Sequence, residues 1–384
     1  MNIWKNIIDK KTLTVDIGSK YIRACVFSES KTLKKYKVLS SGVEYGLITN
    51  KKNFESSLKI ILEAVVSDFK IIPKNVLVTI STIHQNSASL SVITYTKRAD
   101  GIITDLDIAG IKNNARKKIE HLKDNIILHE IIIKNKVDGV IVVGELRNAK
   151  GAKIESKILF IYDDMYNYKL LSSVFESFGI EIDQVLSGPF IEAESLLSEK
   201  EKRLGTAVLN MGHHVSSLCV YERGAPLLSS CINYGGEDIT SKIALGLRVD
   251  IDIAESIKID NNLKDYSKRK CEEIVENSLY TFAENINTEL ARIKRSELLP
   301  GGLRLIGGSS GLYKIENYLK YALKLPVTNI NTDERYSDIK NDAEYIKNYN
   351  SSQYSENITE MHIYKKTIKN SYLKIESLLK KFLP

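Results

Sequence analysis

The chain has 384 residues, of which 43% are hydrophobic and 27% are charged. A chain of this length is expected to fold into two or more lobes, and its 21 Gly and 6 Pro residues are too few for a fibrous or largely disordered protein. The formal net charge of +7 comes from scattered lysines rather than from a basic stripe with interleaved aromatic residues. This distribution argues against a dedicated nucleic-acid-binding protein.

The four cysteines, Cys25, Cys219, Cys231 and Cys271, form no CxxC pair and have no metal-ligand spacing. They are predicted to be free thiols, and three of them lie in apolar runs where they would pack as small hydrophobic side chains. The opening residues MNIWKNIIDKKT contain no continuous apolar segment, and no stretch of about 18 apolar residues follows. The sequence therefore predicts an intracellular protein that does not span a membrane.

The first elements in the chain are three strands with alternating apolar residues, TLTVD, YIRACVF and KKYKVLSSG, which predict a meander. Residues 53–70 carry an apolar stripe at helical spacing from Phe54 to Phe69, and VLVTIS at 76–81 is typical of a buried strand. A helix at about 165–178 and a strand at about 181–186 complete this pattern. The order of elements indicates an α/β lobe.

Residues 85–158 have a different pattern of apolar and polar residues from the segments around them. This pattern predicts a small strand-and-helix module inserted into that lobe. The alternating segment SASLSVITY precedes Thr104 and Asp107, a capping-box pattern that predicts a helix running to about Leu122. The segments NIILHEIII, VDGVIVVGEL and KILFIY follow, and their many β-branched residues favour strands.

From Gly205 onwards the chain repeats its opening order of elements. GTAVLNMGHHVSSLCVY predicts two strands joined by a turn, and APLLSSCIN predicts a third strand. Helices are predicted from Gly235-Gly236, around AESIKID and over 271–294, and LRLIGGSSGLYKIENYLKYAL predicts a strand that leads into a helix. The two halves lie about 190 residues apart, which predicts a duplicated two-lobed fold with a cleft between the lobes.

Glycine turns provide candidate ligand sites in such a cleft. In Asp16-Ile17-Gly18-Ser19-Lys20, a glycine allows the backbone to approach an anion, and successive N–H groups can form an anion nest. Ser19 adds a hydroxyl donor, and Asp16 is placed to hold the water shell of Mg²⁺. An ordinary hairpin turn is the alternative interpretation of this short motif.

Three further features add to the candidate site. The turn at 305–311 joins a strand to a helix and suits a flat base or a sugar, and paired glycines at 235 and 236 open another helix. Glu255 and Lys258 lie three residues apart on a predicted helix, where an exposed ion pair is the alternative interpretation. The order and spacing of these features are more specific than any one of them.

Together these motifs resemble the actin–Hsp70–hexokinase superfamily and, within it, the FtsA family of bacterial division proteins. DIGSKYIRACVF is similar to the first phosphate motif of the superfamily, and LRLIGGSSGLYKIENYLKYALKLPV is similar to its adenosine motif and the following helix. GGEDITSKIALGLRVDIDIAESIK is similar to the FtsA pattern GG(D/E)xIT, IAxGLR and AExIK. The resemblance extends from about residue 12 to the end and implies an α/β actin-like two-lobed fold, a duplicated five-stranded sheet with helices and an inserted 1C-type subdomain.

The resemblance also implies a division into subdomains. Subdomain 1A would comprise 1–84 and 159–203 with a return helix at about 353–364, and subdomain 1C would comprise 85–158. Subdomain 2A would comprise 204–235 and 300–352, and subdomain 2B 236–299. Residues 365–384 would form a linker and a C-terminal amphipathic membrane-targeting helix.

A site for ATP and Mg²⁺ is implied in the cleft, with no catalytic residue assigned. Carried over position by position, the nucleotide-binding residues are Asp16, Gly18, Ser19, Lys20, Gly212, Ser216, Gly235, Gly236, Glu255, Lys258, Gly307, Gly308 and Ser309, and Asp16 is also the metal residue.

The second phosphate motif departs from the family pattern D-x-G-G-G-T-T-D, and this departure weakens the case for both ATP and Mg²⁺. Here the residues are Asn210, Met211, Gly212, His213, His214, Val215, Ser216 and Ser217, so both carboxylates are lost and two glycines are replaced by histidines. Phosphoryl transfer depends on cationic stabilisation of the developing charge, and Asn210 lacks the charge to fix Mg²⁺. A histidine is also expected to resist a positive φ, and the family lysine is displaced because Lys20 precedes the aligned Tyr21. The sequence predicts a scaffold rather than an enzyme, with hydrolysis weak or lost.

The last twenty residues, KKTIKNSYLKIESLLKKFLP, predict an amphipathic helix that binds membranes. Its apolar face would contain Tyr372, Leu373, Ile375, Leu378, Leu379, Phe382 and Leu383, and its basic residues include Lys374, Lys380 and Lys381. This composition is typical of a helix in the headgroup layer of an anionic membrane. A terminal helix packed on the protein itself is the alternative, and the FtsA resemblance favours the membrane helix.

The function implied by the resemblance is that of an actin-like cell-division scaffold. Such a protein self-associates as a filament or dimer and tethers the tubulin-like protein FtsZ to the inner face of the cytoplasmic membrane at the division site during septation. The FtsZ C-terminal peptide would dock on 236–299, where Glu276-Asn277-Ser278 replaces the Glu-Pro-Arg of many relatives, and other division proteins would contact 85–158. The alternatives are a PilM-like inner-membrane assembly protein and a small-molecule kinase of the same superfamily.

Overall fold

The computed structural model describes residues 11–28, 31–70, 72–73, 75–119, 122–142, 144–260 and 267–330. Its strands are β1 (Lys11–Ile17), β2 (Tyr21–Ser28), β3 (Lys31–Leu39), β4 (Val43–Glu44), β5 (Leu47–Ile48), β6 (Asn75–Ile80), β7 (Asn86–Tyr95), β8 (Asn125–Val137), β9 (Val140–Val142), β10 (Lys153–Asp164), β11 (Gln184–Ser187), β12 (Thr206–Met211), β13 (Ser216–Glu222), β14 (Ala225–Ile232), β15 (Gly302–Ile306) and β16 (Val327–Asn329). Its helices are α1 (Lys51–Phe69), α2 (Asp105–Lys118), α3 (Met165–Ser177), α4 (Gly188–Leu196), α5 (Glu199–Leu204), α6 (Gly236–Leu247), α7 (Ile251–Asp260), α8 (Lys268–Arg292) and α9 (Ile315–Leu323).

Two five-stranded sheets with the same topology form the centres of two lobes. The strand order is β11-β6-β1-β2-β3 in the first lobe and β16-β15-β12-β13-β14 in the second. In each sheet the first strand of the lobe pairs antiparallel with the next strand and parallel with a later one, as β1 does with β2 and β6 and β12 does with β13 and β15. The predicted duplicated two-lobed α/β fold is therefore confirmed.

The helical stripe predicted in the first lobe is also confirmed. Helix α1 begins at the N-cap Asn50, whose side chain accepts a hydrogen bond from the backbone N–H of Asn53, and such a cap satisfies an otherwise unpaired donor. Its buried face includes Phe54, Leu58 and Ile61, which pack in one core with β1, β2, β6 and α3. In the second lobe, α6, α8 and α9 pack with β12, β13 and β15 in the same manner.

The inserted module contains a four-stranded sheet with the order β7-β10-β8-β9 and the helix α2. The predicted capping box is present, because the backbone N–H of Thr104 donates to Asp107 Oδ2 at 2.9 Å. Helix α2 ends at Lys118, earlier than the predicted end at about Leu122, and it packs on the sheet through Ile111 and Ala115.

A shared apolar core joins the module, the first lobe and the second lobe. Phe190 of α4 and Leu159 of β10 pack with Val208 and Tyr221 of the second sheet. Polar contacts add to this junction, since the backbone N–H of Ser229 in β14 donates to Ser87 Oγ in β7 at 2.8 Å. The backbone N–H of Cys231 donates to the carbonyl of Gln85 at 3.2 Å.

Some predictions concern segments that lie outside the described residues. These are the return helix at about 353–364 and the amphipathic helix at 365–384, with its apolar residues from Tyr372 to Leu383 and its lysines Lys374, Lys380 and Lys381. Among the helices that the structure describes, none combines the length and apolarity needed to cross a membrane. The four cysteines are free thiols, as predicted, and the structure buries Cys25, Cys219 and Cys271.

Candidate functional site

A cavity of about 320 Å³ opens between the lobes and brings the predicted glycine turns together. Turns at the ends of β1, β12 and β15 face it, as does one side of α7. The residues that line it are Asp16, Ile17, Gly18, Ser19, Lys20, Tyr21, Arg23, Ser81, Glu192, Asn210, Gly212, His213, Val215, Glu255, Lys258, Ile259, Gly308, Ser309, Gly311 and Leu312.

The first turn, between β1 and β2, is tight. The backbone N–H of Gly18 donates to the carbonyl of Tyr21 at 3.1 Å, and a Cβ at Gly18 would lie only 2.9 Å from that oxygen. Ser19 Oγ accepts a hydrogen bond from the backbone N–H of Gly46 at 3.2 Å. Its hydroxyl hydrogen therefore remains available to a ligand.

Asp16, the predicted metal residue, is held by two side chains of its own sheet. Thr79 Oγ1 donates to Asp16 Oδ1 at 3.1 Å, and Arg23 Nη1 donates to Asp16 Oδ2 at 3.3 Å. Arg23 lies directly opposite Asp16 in the antiparallel pairing of β1 and β2.

The second turn, between β12 and β13, adopts a backbone that does not require glycine at the histidine positions. The backbone N–H of Gly212 donates to the carbonyl of Val215 at 3.2 Å. Neither His213 nor His214 has a positive φ, so the prediction that these histidines would strain the backbone is wrong. The two histidines affect the site through their rings.

The N-terminus of α6 is bound to this turn. The backbone N–H groups of Gly236 and Glu237 donate to the carbonyls of Gly212 and His213 at 3.0 and 2.9 Å. Ser309 Oγ donates to the same Gly212 carbonyl at 3.0 Å. Free N–H groups at a helix N-terminus are a common anion site, and here these two are engaged by carbonyl oxygens.

The two histidine rings form a stack that crosses the cleft. The ring centroids of His213 and His214 lie 4.5 Å apart, and the His214 ring stacks on Tyr45 of the first lobe with centroids 5.0 Å apart. The backbone N–H of Tyr45 also donates to His214 Nδ1 at 3.4 Å. The second turn is thus in direct contact with the loop between β4 and β5.

His213 lines the cavity as a neutral ring. Burial lowers the pKa of His213 to about 4, and the neighbouring His214 and Lys20 act in the same direction. The carboxylate of Glu237 lies 3.6 Å from His213 Nε2. At neutral pH the imidazole therefore offers a ligand a hydrogen-bonding ring without a positive charge.

Asn210 aligns with the first Asp of the phosphate motif that this turn resembles, and its amide contacts the carboxylate of Glu192. Asn210 Nδ2 donates to Glu192 Oε1 at 2.5 Å, and Ser217 Oγ donates to Glu192 Oε2 at 3.3 Å. The Asn210 Oδ1 atom is buried and has no hydrogen-bond partner among the described residues. Glu192 lies on α4, a helix that the sequence patterns did not predict, so it was not among the expected site residues.

Glu255 and Lys258 form the centre of a charged network rather than an exposed helical pair. Lys258 Nζ lies 2.5 Å from Glu255 Oε2, and the Lys258 side chain is only 6% exposed. Thr240 Oγ1 donates to Glu255 Oε2 at 2.6 Å, and Lys20 of the first lobe donates across the cleft to Glu255 Oε1 at 2.9 Å. Burial alone would raise the pKa of Glu255, but the hydrogen bonds from Lys258, Thr240 and Lys20 lower it to about 2.

The third turn provides open space beside this network. Gly307 has φ +104°, and a Cβ there would collide with Asn210 Oδ1 and the Met211 backbone. A Cβ at Gly308 or Gly311 would meet no atom within 4 Å. The space next to Gly308 is thus the part of the cleft where a flat group would fit with little rearrangement.

Of the predicted nucleotide-binding residues, most line the cavity and the others connect its walls. Asp16, Gly18, Ser19, Lys20, Gly212, Glu255, Lys258, Gly308 and Ser309 line it. Ser216 instead donates to the carbonyl of Tyr234 at 2.7 Å. Gly235, Gly236 and Gly307 lie where a side chain would collide with a neighbouring element.

The carboxylates in the cleft are engaged by protein side chains and do not fit a resident Mg²⁺ ion that they would ligate directly. Each of the six oxygens of Asp16, Glu192 and Glu255 accepts a hydrogen bond from a protein side chain. Arg23 and Lys258 also place fixed positive charges beside Asp16 and Glu255. In the part of the chain that the structure describes, no three His, Cys, Asp or Glu side chains are grouped to hold a metal ion.

Comparison with known families adds to this geometry. The family model described as "Cell division protein FtsA" matches residues 207–363, which include all but the first residue of β12, the strands β13 to β16, and the second and third turns of the cleft. Over these residues the chain is similar to FtsA. The FtsA of Neisseria meningitidis serogroup B is 27% identical over 222 residues, which cover 57% of this chain and 52% of that protein. The FtsA of Bacillus subtilis is 26% identical over 198 residues, which cover 46% of this chain and 45% of that protein.

These matches confirm the resemblance to FtsA predicted from the sequence. Each of the two covers about half the length of the FtsA relative.

Solved structures confirm the actin-like fold. A chain of the "PilM-PilN type IV pilus biogenesis complex" has a TM-score of 0.62 at 14% identity, covering 83% of this chain and 88% of that chain. The "MamK double helical filament" has a TM-score of 0.51 at 11% identity, covering 88% of this chain and 98% of that chain. At these identities the similarity shows the fold alone.

Proposed function

We propose that this chain is an actin-like cell-division scaffold that holds a nucleotide in its interlobe cleft, hydrolyses it weakly or not at all, self-associates, and tethers FtsZ to the cytoplasmic membrane during septation. The observation that carries the proposal is the match of the FtsA family model to the second lobe. The residues that the second lobe contributes to the cleft support a scaffold role rather than rapid ATP hydrolysis.

The phosphate end of the cleft supports weak or absent hydrolysis. Asn210 contributes an amide where the family has a carboxylate, and the neutral ring of His213 lines the cavity beside it. A hydrolase needs groups that orient water and stabilise developing charge in this position. Self-association needs surfaces on the two lobes and does not require turnover.

The subdomain assignment is part of the proposal. The sheets containing β1 and β12 correspond to subdomains 1A and 2A, and the module at 85–158 corresponds to subdomain 1C. The helices α6 to α8 lie within 236–299, the 2B region to which the FtsZ C-terminal peptide would bind. The membrane contact rests on the apolar and basic pattern of 365–384.

The first test is a co-sedimentation assay with FtsZ and anionic liposomes. We expect the full chain to carry FtsZ into the liposome pellet, and we expect a variant lacking 371–384 to lose lipid binding while still binding the FtsZ C-terminal peptide. Liposomes of neutral lipid are the matched control for the basic residues. Failure of the full chain to bind FtsZ or its peptide would contradict the proposal and favour the PilM-like alternative.

The second test measures ATP hydrolysis by the purified chain. We expect no phosphate release above a no-protein control, with and without FtsZ. Sustained turnover that disappears on mutation of a cleft residue would contradict the predicted loss of activity and would favour the kinase-like alternative.

A further inference from the structure

We propose that Arg23 is the polyphosphate-binding cation of this cleft and that it takes the place of Mg²⁺, so that the ligand is a metal-free nucleoside di- or triphosphate. The inference deepens the nucleotide-holding part of the proposed function and rests on it. The carboxylates of the cleft disagree with the metal that the fold family implies.

Arg23 is held at the first phosphate turn by two contacts. It forms an ion pair with Asp16, with 3.3 Å between Nη1 and Oδ2, and its guanidinium carbon lies 5.5 Å from the centroid of the Tyr21 ring. A Cβ built on Gly18 would lie 3.9 Å from Arg23 Nη1. The guanidinium group therefore lies next to the backbone that would approach a phosphate.

The guanidinium group retains donors for a ligand. Among the described residues it donates to Asp16, whereas a guanidinium carries five N–H donors in a planar fork that matches phosphate oxygens. The Arg23 side chain is 28% exposed and lines the cavity. It is thus ordered by its partners and still accessible from the cleft.

The other cations near the phosphate end are less suited to this role. Lys20 donates across the cleft to Glu255, and Lys258 donates to the Gly236 carbonyl and to Thr240 in addition to its pair with Glu255. His213 is neutral at physiological pH because burial lowers its pKa to about 4. Arg23 is the cation whose partner, Asp16, is itself the predicted metal residue.

This pairing determines the metal dependence of binding. A divalent ion at Asp16 would lie close to the guanidinium group, and the two positive charges would repel each other across a short distance. A nucleotide without a metal carries more negative charge, which the guanidinium group can neutralise directly by bidentate hydrogen bonds. The structure therefore favours nucleotide without Mg²⁺.

The test is isothermal titration calorimetry of the full chain with ADP and with ATP, in buffer containing EDTA or excess MgCl₂. We expect the dissociation constants of the wild-type chain in EDTA to be equal to or lower than those in MgCl₂. For Arg23→Gln we expect the dissociation constants in EDTA to rise about tenfold to hundredfold. We also expect MgCl₂ to restore part of that affinity, because Asp16 Oδ2 loses its internal cation.

Two further variants control for charge and stability. Arg98→Gln breaks the exposed Arg98–Asp100 pair of the inserted module, whose closest atoms lie 2.5 Å apart, and it should leave binding unchanged. Arg23→Lys keeps the charge without the planar fork and should lie between wild type and Arg23→Gln. If Arg23→Gln does not fold, the metal dependence of the wild type and of Arg23→Lys still decides the question.

Wild-type binding that requires Mg²⁺, or an Arg23→Gln variant with unchanged affinity in EDTA, would overturn the inference and leave the proposed nucleotide site standing. Absence of binding in both buffers would overturn the nucleotide part of the proposed function and this inference with it. The FtsZ and liposome assays test the tethering role independently of either result.

Discussion

The ring of His214 in the second lobe stacks on the ring of Tyr45 in the first lobe, with centroids 5.0 Å apart and planes inclined by 26°. Because the centroid of the His213 ring lies 4.5 Å from that of His214, three aromatic rings follow one another across the mouth of the cleft. Lys20 and Glu255 form a second bridge between the lobes, 2.9 Å long. Among the described residues, the two lobes are thus joined across the cleft by an aromatic contact and an ionic contact that can be tested separately.

We predict that the Tyr45–His214 stack stabilises the folded protein by about 1 kcal/mol, the usual value for an aromatic pair. Tyr45→Ala and His214→Ala should each lower the free energy of unfolding, and the double variant should lose less than the sum of the two losses. Urea denaturation of the four proteins gives the coupling energy directly. Tyr95→Ala is the matched control, since Tyr95 is 66% exposed, and strictly additive losses would show that the stack contributes nothing.

Restoring the family carboxylate in the second turn should destabilise the protein. Asn210→Asp would replace the donor to Glu192 by a second carboxylate at a separation of about 2.5 Å, so we expect a loss of about 1–3 kcal/mol in the free energy of unfolding at pH 7. Adding Glu192→Gln should recover most of this loss, because the amide can donate to the new carboxylate. Thermal or urea unfolding of the single and double variants provides the measurement. An Asn210→Asp protein as stable as the wild type would show that the Asn210–Glu192 contact is unimportant.

The two lysines that contact Glu255 should differ in their contributions to stability. Lys258 is 6% exposed, so Lys258→Met would leave a partly buried carboxylate without its closest cation, and we expect a loss of about 2 kcal/mol. Lys20 is 39% exposed, and Lys20→Met should cost less than about 1 kcal/mol because solvent screens such pairs. The two variants are matched in chemistry and serve as controls for each other in urea denaturation. Equal losses would contradict the role assigned to burial.

Acid should destabilise the protein through His129. This side chain is 1% exposed, and its Nε2 accepts a hydrogen bond from the backbone N–H of Ser187 at 3.0 Å. Burial lowers the pKa of His129 to about 3, whereas a histidine in the unfolded chain titrates near 6.5. The contribution of neutral His129 to the free energy of unfolding is therefore fully present above about pH 6.5, and it is lost as the pH falls towards the folded-state pKa.

Between pH 7 and pH 5 we expect His129 to account for a fall of about 2 kcal/mol in the free energy of unfolding. His129→Gln keeps an acceptor for the Ser187 N–H and removes the titration, so its stability should depend less on pH over this interval. Urea denaturation at a series of pH values measures both slopes. Identical slopes in the two proteins would exclude His129 as the source of the acid sensitivity.

The regular elements of the fold were predictable because their signals are local. The apolar stripe from Phe54 to Phe69 gave the position of α1, and the Thr104–Asp107 pattern gave the start of α2. Helix α4 was missed although Ser187, its N-cap, and Pro189 near its start are a recognised start signal. Helix α4 packs between the lobes, so apolar residues lie on most of its sides. The sequence of its nine residues therefore shows no one-sided apolar stripe that would predict a helix.

The glycine turns of the candidate site were also predictable, since the need for close backbone approach restricts the residue type. The partners of the charged groups were not, because they depend on tertiary contacts. Arg23 faces Asp16 only once β1 and β2 are paired in register, and Glu192 reaches Asn210 only because α4 packs against the second sheet. Pairing of 11–17 with 21–28 in an antiparallel hairpin register places Arg23 opposite Asp16, so this pair could be predicted from the sequence. No local pattern indicates the contact between Glu192 and Asn210.

The hydrogen bonds of the Gly212 carbonyl have a mechanical consequence. This one oxygen accepts hydrogen bonds from the backbone N–H at the start of α6 and from the Ser309 hydroxyl. It therefore links the second turn, α6 and the third turn of the second lobe. Displacement of the Gly212 carbonyl is therefore expected to disturb the second turn, the start of α6 and the third turn together.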